Sequence, residues 1–143
     1  MTVEKLLRDK KNSYLTIEPD YLTKSAVDKF STSKAGALIV SENGISVEGI
    51  ITEHDIIRGL ESRGAVVLES PVKNLMTSEV ITCQVTDPVS LVMALMVKHR
   101  IKHLPVVDGN IICGLVSMQD IVALRIEEIQ HEADIVRQHA AVG

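Results

Sequence analysis

The sequence predicts an α/β protein made of two β-α-β-β-α units packed with pseudo-twofold symmetry, followed by a C-terminal helical extension. Three observations predict it. Residues 49–57, Gly-Ile-Ile-Thr-Glu-His-Asp-Ile-Ile, match residues 114–122, Gly-Leu-Val-Ser-Met-Gln-Asp-Ile-Val, in chemical type at every position but the fifth, an offset of 65 from 49 to 114. An apolar run and a turn precede each match: Ala37-Leu38-Ile39-Val40 before Ser41 to Gly44, and Leu104-Pro105-Val106-Val107 before Asp108 to Asn110. The apolar residues are mostly branched aliphatics, with one Phe, two Tyr and no Trp, a composition suited to buried strands covered by helices.

Taken in order, Thr2 to Arg8 reads as a short leading helix, with Thr2 as N-cap and Glu4 in the first turn where the dipole favours an acid. Tyr14-Leu15-Thr16-Ile17 reads as a short β segment. Asp20 then opens a helix whose apolar face is Leu22, Ala26, Val27 and Phe30. The first hairpin feeds a second helix through Thr52-Glu53-His54-Asp55, and Glu61 to Pro71 connects the units. In the second unit, Val80-Ile81-Thr82-Cys83 is the leading β segment. Asp87 is the expected N-cap, Pro88 the first helical residue, and Val89, Val92, Met93, Met96 and Val97 recur at helical spacing. The first hairpin carries about two extra residues. Residues 121–139 prolong the final helix, and Ile121, Val122, Leu124, Ile126, Ile129, Ala133 and Val136 give it a stripe fit to dock on its own domain or on a second subunit. The expected divisions are 1–66, 67–127 and a helical extension over 128–143. One unit alone cannot bury both faces of its sheet, so the two must pack together.

A chain of 143 residues that is 45% hydrophobic can close a core. Fifteen basic and nineteen acidic residues leave a formal charge of −4, which offers no global attraction to nucleic acid or an anionic membrane surface. Any anion site must be local. Cys83 and Cys113 lack the paired spacing of a zinc site or a disulfide framework and read as reduced thiols. The opening MTVEKLLRDKK is too charged for a signal peptide, and no apolar run nears the ~18 residues of a membrane span. A soluble, cytoplasmic protein is the expectation.

The duplicated Thr52…Asp55 and Ser117…Asp120 carry the functional signal. A hydroxyl with an acid three residues later is also a capping box, which needs no function. Two features favour a ligand: both copies use the short Asp, and both place it after a Gly-led buried strand. At a helix start that follows a strand end, backbone N–H groups and the dipole favour phosphate, and a carboxylate there accepts the hydroxyl protons of a ribose diol. The basic segment Lys98-His99-Arg100-Ile101-Lys102-His103 precedes the second apolar run. Lys98 and His99 fit the role of helix-end cations, while His103, next to the strand, is the better phosphate ligand. The first copy has Gly36-Ala37 where the second has His103-Leu104, and its nearest cation is Lys34. The site around Asp120 is therefore expected to hold phosphate more strongly than the one around Asp55. A hydrolytic trio of Ser117, His103 and Asp120 lacks a nucleophile elbow, a phosphate loop or metal ligands, so no enzyme and no catalytic cofactor are expected.

These residues resemble the tandem cystathionine β-synthase (CBS) domain family, the Bateman module. The carriers are Gly49-Ile50-Ile51-Thr52-Glu53-His54-Asp55-Ile56, His103-Leu104-Pro105-Val106-Val107-Asp108 and Gly114-Leu115-Val116-Ser117-Met118-Gln119-Asp120-Ile121, and the likeness runs from about Tyr14 to Leu124. The resemblance implies disc-shaped homodimers and binding of AMP, ADP, ATP, NAD or S-adenosylmethionine between the two copies. It places the ribose-binding acid on Asp55 and Asp120, the hydroxyl on Thr52 and Ser117, and the base-lining motif near Ser13, Tyr14, Thr77 and Val80. The phosphate-proximal base falls on His103, while Gly36 departs from the pattern. The expected ligand shell also includes Lys102, Leu104 and Pro105 of the second copy and Ala37 and Leu38 of the first. The function implied is regulatory sensing of energy or redox state, read by a separate effector protein. The rival is a ligand-free scaffold in which both acids merely cap helices.

Overall fold

The computed structural model describes residues 1–9 and 13–142, and they form two three-stranded sheets with helices around them. In the first repeat, β1 (Thr16–Ile17) leads through α2 (Thr23–Thr32) to β2 (Ala37–Val40), beside which it lies parallel, with Thr16 opposite Ile39. The preceding helix, α1 (Val3–Asp9), has Glu4 in its first turn as the sequence predicts. Strand β3 (Gly49–Thr52) returns antiparallel to β2 and runs directly into α3 (Glu53–Arg63). The second repeat repeats this order with β4 (Cys83–Gln84), α4 (Val89–His99), β5 (His103–Asp108), β6 (Ile111–Ser117) and α5 (Met118–Val142). The central strands are apolar and buried over Ala37–Val40 and over residues 104–107, because helices cover one face and the other repeat covers the opposite face.

Strand register aligns the repeats more finely than sequence matching. Ala37 pairs with Thr52 and His103 pairs with Ser117, so Ala37 is the counterpart of His103, and Gly36 that of Lys102. The first hairpin is therefore longer by one residue, residues 41–48 against 107–113, rather than two. The Glu61–Pro71 connection is also more ordered than expected: α3 runs to Arg63, and Gly64–Glu69 is a 3₁₀ helix.

The repeats exchange their leading segments. From α1, Val3, Leu6 and Leu7 are buried in the second repeat's core with Cys83, Val89, Val92, Met96, Leu104 and Val106. Conversely, Val72, from the chain leading into the second repeat, is buried among Ile17, Ala26, Leu38, Val40 and Ile51 of the first. This exchange also decides how two helices begin. Asp20 and Asp87 do not cap as expected. Helix α2 starts at Thr23, whose N–H and hydroxyl both donate to Ser70 O, at 2.8 and 2.9 Å, while Asp20 pairs with Lys73 at 2.8 Å. Helix α4 starts at Val89, whose N–H donates to Met1 O at 3.0 Å; Pro88 is its N-cap, and Asp87 accepts the Gln84 N–H instead. A carbonyl from the exchanged segment satisfies the exposed N–H in each case, which removes the need for a local acidic cap.

The two sheets meet through Ala37, Ile39, Ile50, Ile112 and Leu115, with Tyr14 and Val80 packed at the margin. Reciprocal bonds between Ile50 and Thr77, at 3.0 and 2.9 Å, tie β3 to the other repeat. Gly49 permits this contact, since a Cβ there would collide with Met76 Sδ and lie 2.9 Å from Thr77 O. Three residues of the expected apolar helix faces, Val27, Met93 and Val97, are exposed; of the α5 stripe, Ile121 and Leu124 are buried on the domain, while Val122, Ile126, Ile129 and Val136 are exposed. Cys83 and Cys113 are free thiols. Among the described residues no helix is long and apolar enough to cross a membrane.

Candidate functional site

Each repeat ends its hairpin at an acid-bearing helix start. Thr52 is the N-cap of α3, and its hydroxyl accepts the Asp55 N–H at 3.3 Å. Asp55 Oδ2 in turn accepts the Thr52 N–H at 2.9 Å and the Thr52 hydroxyl at 3.1 Å. At α5, Ser117 N–H donates to Asp120 Oδ2 at 2.9 Å and Asp120 N–H donates to Ser117 Oγ at 3.1 Å. Both acids thus close reciprocal capping boxes, so the choice of the short Asp does not by itself favour a ligand over a cap. Capping does not exhaust a carboxylate, which can accept about four hydrogen bonds. Asp55 uses a further position: Oδ1 accepts from the Arg58 guanidinium at 2.9 Å, and the acid is 8% exposed.

Beside each helix start lies a cavity shared by both repeats. The first, about 460 Å³, is lined by Ile50, Thr52, His54, Asp55 and Arg58 from one repeat and by Thr77, Glu79, Val80, Ile81 and residues 100–103 from the other. The second, about 520 Å³, joins Leu115, Ser117, Gln119 and Asp120 to Ser13, Tyr14, Leu15 and residues 33–36, with His103 at its edge. Both volumes lie in the range of small-ligand sites. Strand register matches the linings in pairs: Thr52 with Ser117, Asp55 with Asp120, Val80 with Tyr14, and Arg100 with Lys34.

The cations fall on the opposite side from the sequence expectation. Arg100, Lys102 and His103 line the Asp55 cavity, where Arg58 and His54 join them. The Asp120 cavity has Lys34 and His103, with Gly36 and Ala123 at the positions matching Lys102 and Arg58. More basic side chains therefore line the Asp55 cavity than the Asp120 cavity. The reason is tertiary: packing the repeats face to face sets the chain before each central strand against the helix start of the other repeat. Ser13 and Tyr14 accordingly serve the Asp120 cavity, and Thr77 and Val80 serve the Asp55 cavity.

His103 lines both cavities. A Cβ on Gly36 would stand 3.0 Å from its Nε2, so the missing side chain at Gly36 gives the imidazole its room. Four expected ligand residues lie elsewhere: Ala37, Leu38, Leu104 and Pro105 are buried in the sheets and line neither cavity. Lys98 and His99 are exposed in the last turn of α4, as expected of helix-end cations. Sequence reasoning missed Arg58 and Glu79, and it named Arg100 within the basic segment without giving it a role of its own. Arg58 was legible as the i+3 partner of Asp55, whereas Glu79 comes from the facing repeat and carries no local signal. Arg100 ends α4 in the left-handed conformation, at φ 54°, a position usually given to Gly or Asn. Among the described residues no group of three or more His, Cys, Asp or Glu is placed to hold a metal.

The CBS domain family matches two stretches of the chain, residues 7–62 and 72–127. The chain is 31% identical over 134 residues to the mitochondrial CBS domain-containing protein CBSX3 of Arabidopsis thaliana, covering 91% of this chain and 64% of that protein. It thus spans a little under two thirds of that relative. The crystal structure of the CBS-domain-containing protein ATU1752 from Agrobacterium tumefaciens superposes with a TM-score of 0.83 at 30% identity, over 87% of this chain and 99% of that one. The CBS domain pair of protein MJ0100, crystallised with 5′-methylthioadenosine and S-adenosyl-L-methionine, gives a TM-score of 0.76 at 26% identity, over 90% and 98% of the two chains.

Proposed function

The chain belongs to the CBS-domain family, and from that premise we propose that it is a non-catalytic sensor of an adenine nucleotide held between its two repeats. The observation that carries this reading is the pair of composite cavities, each with a capped Asp on one wall and a backbone segment of the other repeat facing it. In the Asp55 cavity the ribose diol donates to the Asp55 carboxylate, displacing or sharing Arg58. The base lies along the apolar edge formed by Ile50, Val80 and Ile81. The phosphates meet Arg58, Arg100, Lys102 and His103 and the N-terminus of α3. An adenosine-containing ligand is supported by the two adenosyl compounds bound to the MJ0100 pair. AMP, ADP, ATP and NAD(H) all present the required diol and phosphate.

Because each cavity is made by both repeats, a ligand that binds there changes the free energy of their relative orientation. A partner protein that reads this orientation, or the contact between two copies of the chain, converts occupancy into a signal. Calorimetric titration with adenosine, AMP, ATP and NADH tests the proposal. Expected are saturable binding of the phosphorylated compounds and a ligand-dependent rise in melting temperature. Absence of both for every adenosyl compound overturns it. The closed capping boxes favour a second reading, a ligand-free scaffold, since they give both acids a structural role; that negative result would favour it.

A further inference from the structure

Helix α5 runs for 25 residues, about 37 Å of helix, and only its start is covered by the domain. Ile121 and Leu124 are buried; from Arg125 to Ala140 no residue is. A single helix standing in water is marginally stable, so a projecting helix of this length calls for a partner. The side chains show what kind. Val122, Ile126, Ile129, Ala133, Val136 and Ala140 recur at alternating spacings of four and three residues, the seam of a two-helix coiled coil. The large members are exposed at 49% for Val122, 51% for Ile126, 59% for Ile129 and 66% for Val136.

We propose that the projecting part of α5 pairs two copies of this chain as a parallel coiled coil. This rests on the pairing of copies named in the proposed function and assigns it a surface. The occupant follows from charge. With Ile126 and Ala133 at a and Ile129 and Val136 at d, Glu132 falls at g and Arg137 at the following e. In a parallel, in-register pair these positions face each other across the seam, twice by symmetry. Within one chain Arg137 reaches only Asp134, at 3.8 Å, and among the described residues no ion pair engages Glu132. An anionic lipid surface fits poorly, because Glu127, Glu128, Glu132 and Asp134 outnumber Arg125 and Arg137 on this stretch. One narrow seam admits one partner helix. Ala133 and Ala140 let the two backbones approach closely.

The test is the mass of the full chain by light scattering and sedimentation across micromolar concentrations. The wild type is expected to be a dimer and the Ile129→Glu, Val136→Glu double variant a monomer, with melting of the monomeric domain unchanged because both side chains are exposed. Glu132→Arg alone should raise the dimer dissociation constant roughly fivefold or more, and adding Arg137→Glu should restore it. Ile129→Cys should cross-link to its own copy under mild oxidation, as only parallel, in-register helices place residue 129 against itself. A dimer that survives the double variant overturns the α5 seam and leaves the pairing of copies standing. A wild type that is monomeric throughout overturns both.

Discussion

The His103 imidazole occupies the space that a side chain on Gly36 would take, with Nε2 3.0 Å from the missing Cβ. His103 lines both cavities and Gly36 only the second, so Gly36→Ala tests whether the two are coupled. Gly36 is not in the left-handed region, and the added methyl restricts the unfolded chain, so folding stability should change by less than about 1 kcal/mol. The ring must move by a few tenths of an ångström. Nuclear magnetic resonance should show the His103 imidazole signals shifting, together with altered nucleotide affinity in both cavities. Unchanged His103 signals would show that the ring does not depend on Gly36.

Binding should be unequal, in the order set by the cations. Asp55→Ala or Arg58→Ala should weaken ATP binding tenfold or more, and Asp120→Ala by only a few-fold, measured calorimetrically at fixed ionic strength. Added salt should reduce affinity more at the Asp55 cavity, since more charge acts there. Each Asp also closes a helix cap, so both substitutions should cost about 1 kcal/mol of stability. The comparison is therefore made well below the melting temperature. Larger loss at Asp120 would contradict the assignment of the basic segment to the Asp55 cavity.

Leu6→Ala should destabilise the protein by about 2–4 kcal/mol, because Leu6 is 5% exposed within the second repeat's core. Hydrogen exchange locates the damage. Faster exchange is expected in α4, β5 and β6, which lie far from Leu6 in sequence, and less change in β2 and β3. The reverse pattern would mean that α1 supports its own repeat.

Burial pushes the Cys83 thiol up to about 12, with the Asp87 charge and Cys113 adding to the rise. A raised acid favours the protonated thiol in the folded state, so its contribution is intact below the ordinary thiol value of 9.0 and is lost as pH climbs toward 12. Unfolding monitored from pH 8 to 11 should show stability falling by up to about 1.4 kcal/mol per pH unit from this group. Cys83→Ala should flatten that slope. An identical slope in the variant would assign the alkaline loss to other groups.

The duplication, the β-α-β-β-α order and the two Asp-bearing helix starts are local properties of the chain and were legible in it. Thr52 to Asp55 and Ser117 to Asp120 close their caps by contacts three residues apart, and the apolar runs at 37–40 and 104–107 become the central strands because an aliphatic run in this setting has only the sheet interior in which to be buried. Which repeat supplies the other walls of each cavity was not legible. Arg100 and Lys102 face Asp55 rather than Asp120, and Met1 and Ser70 provide the carbonyls that replace the expected Asp87 and Asp20 caps. Those relations come from packing two similar units face to face and exchanging their leading segments. Periodicity and spacing describe the neighbours of a residue along the chain, whereas charge at a cleft depends on residues that only tertiary packing brings across it.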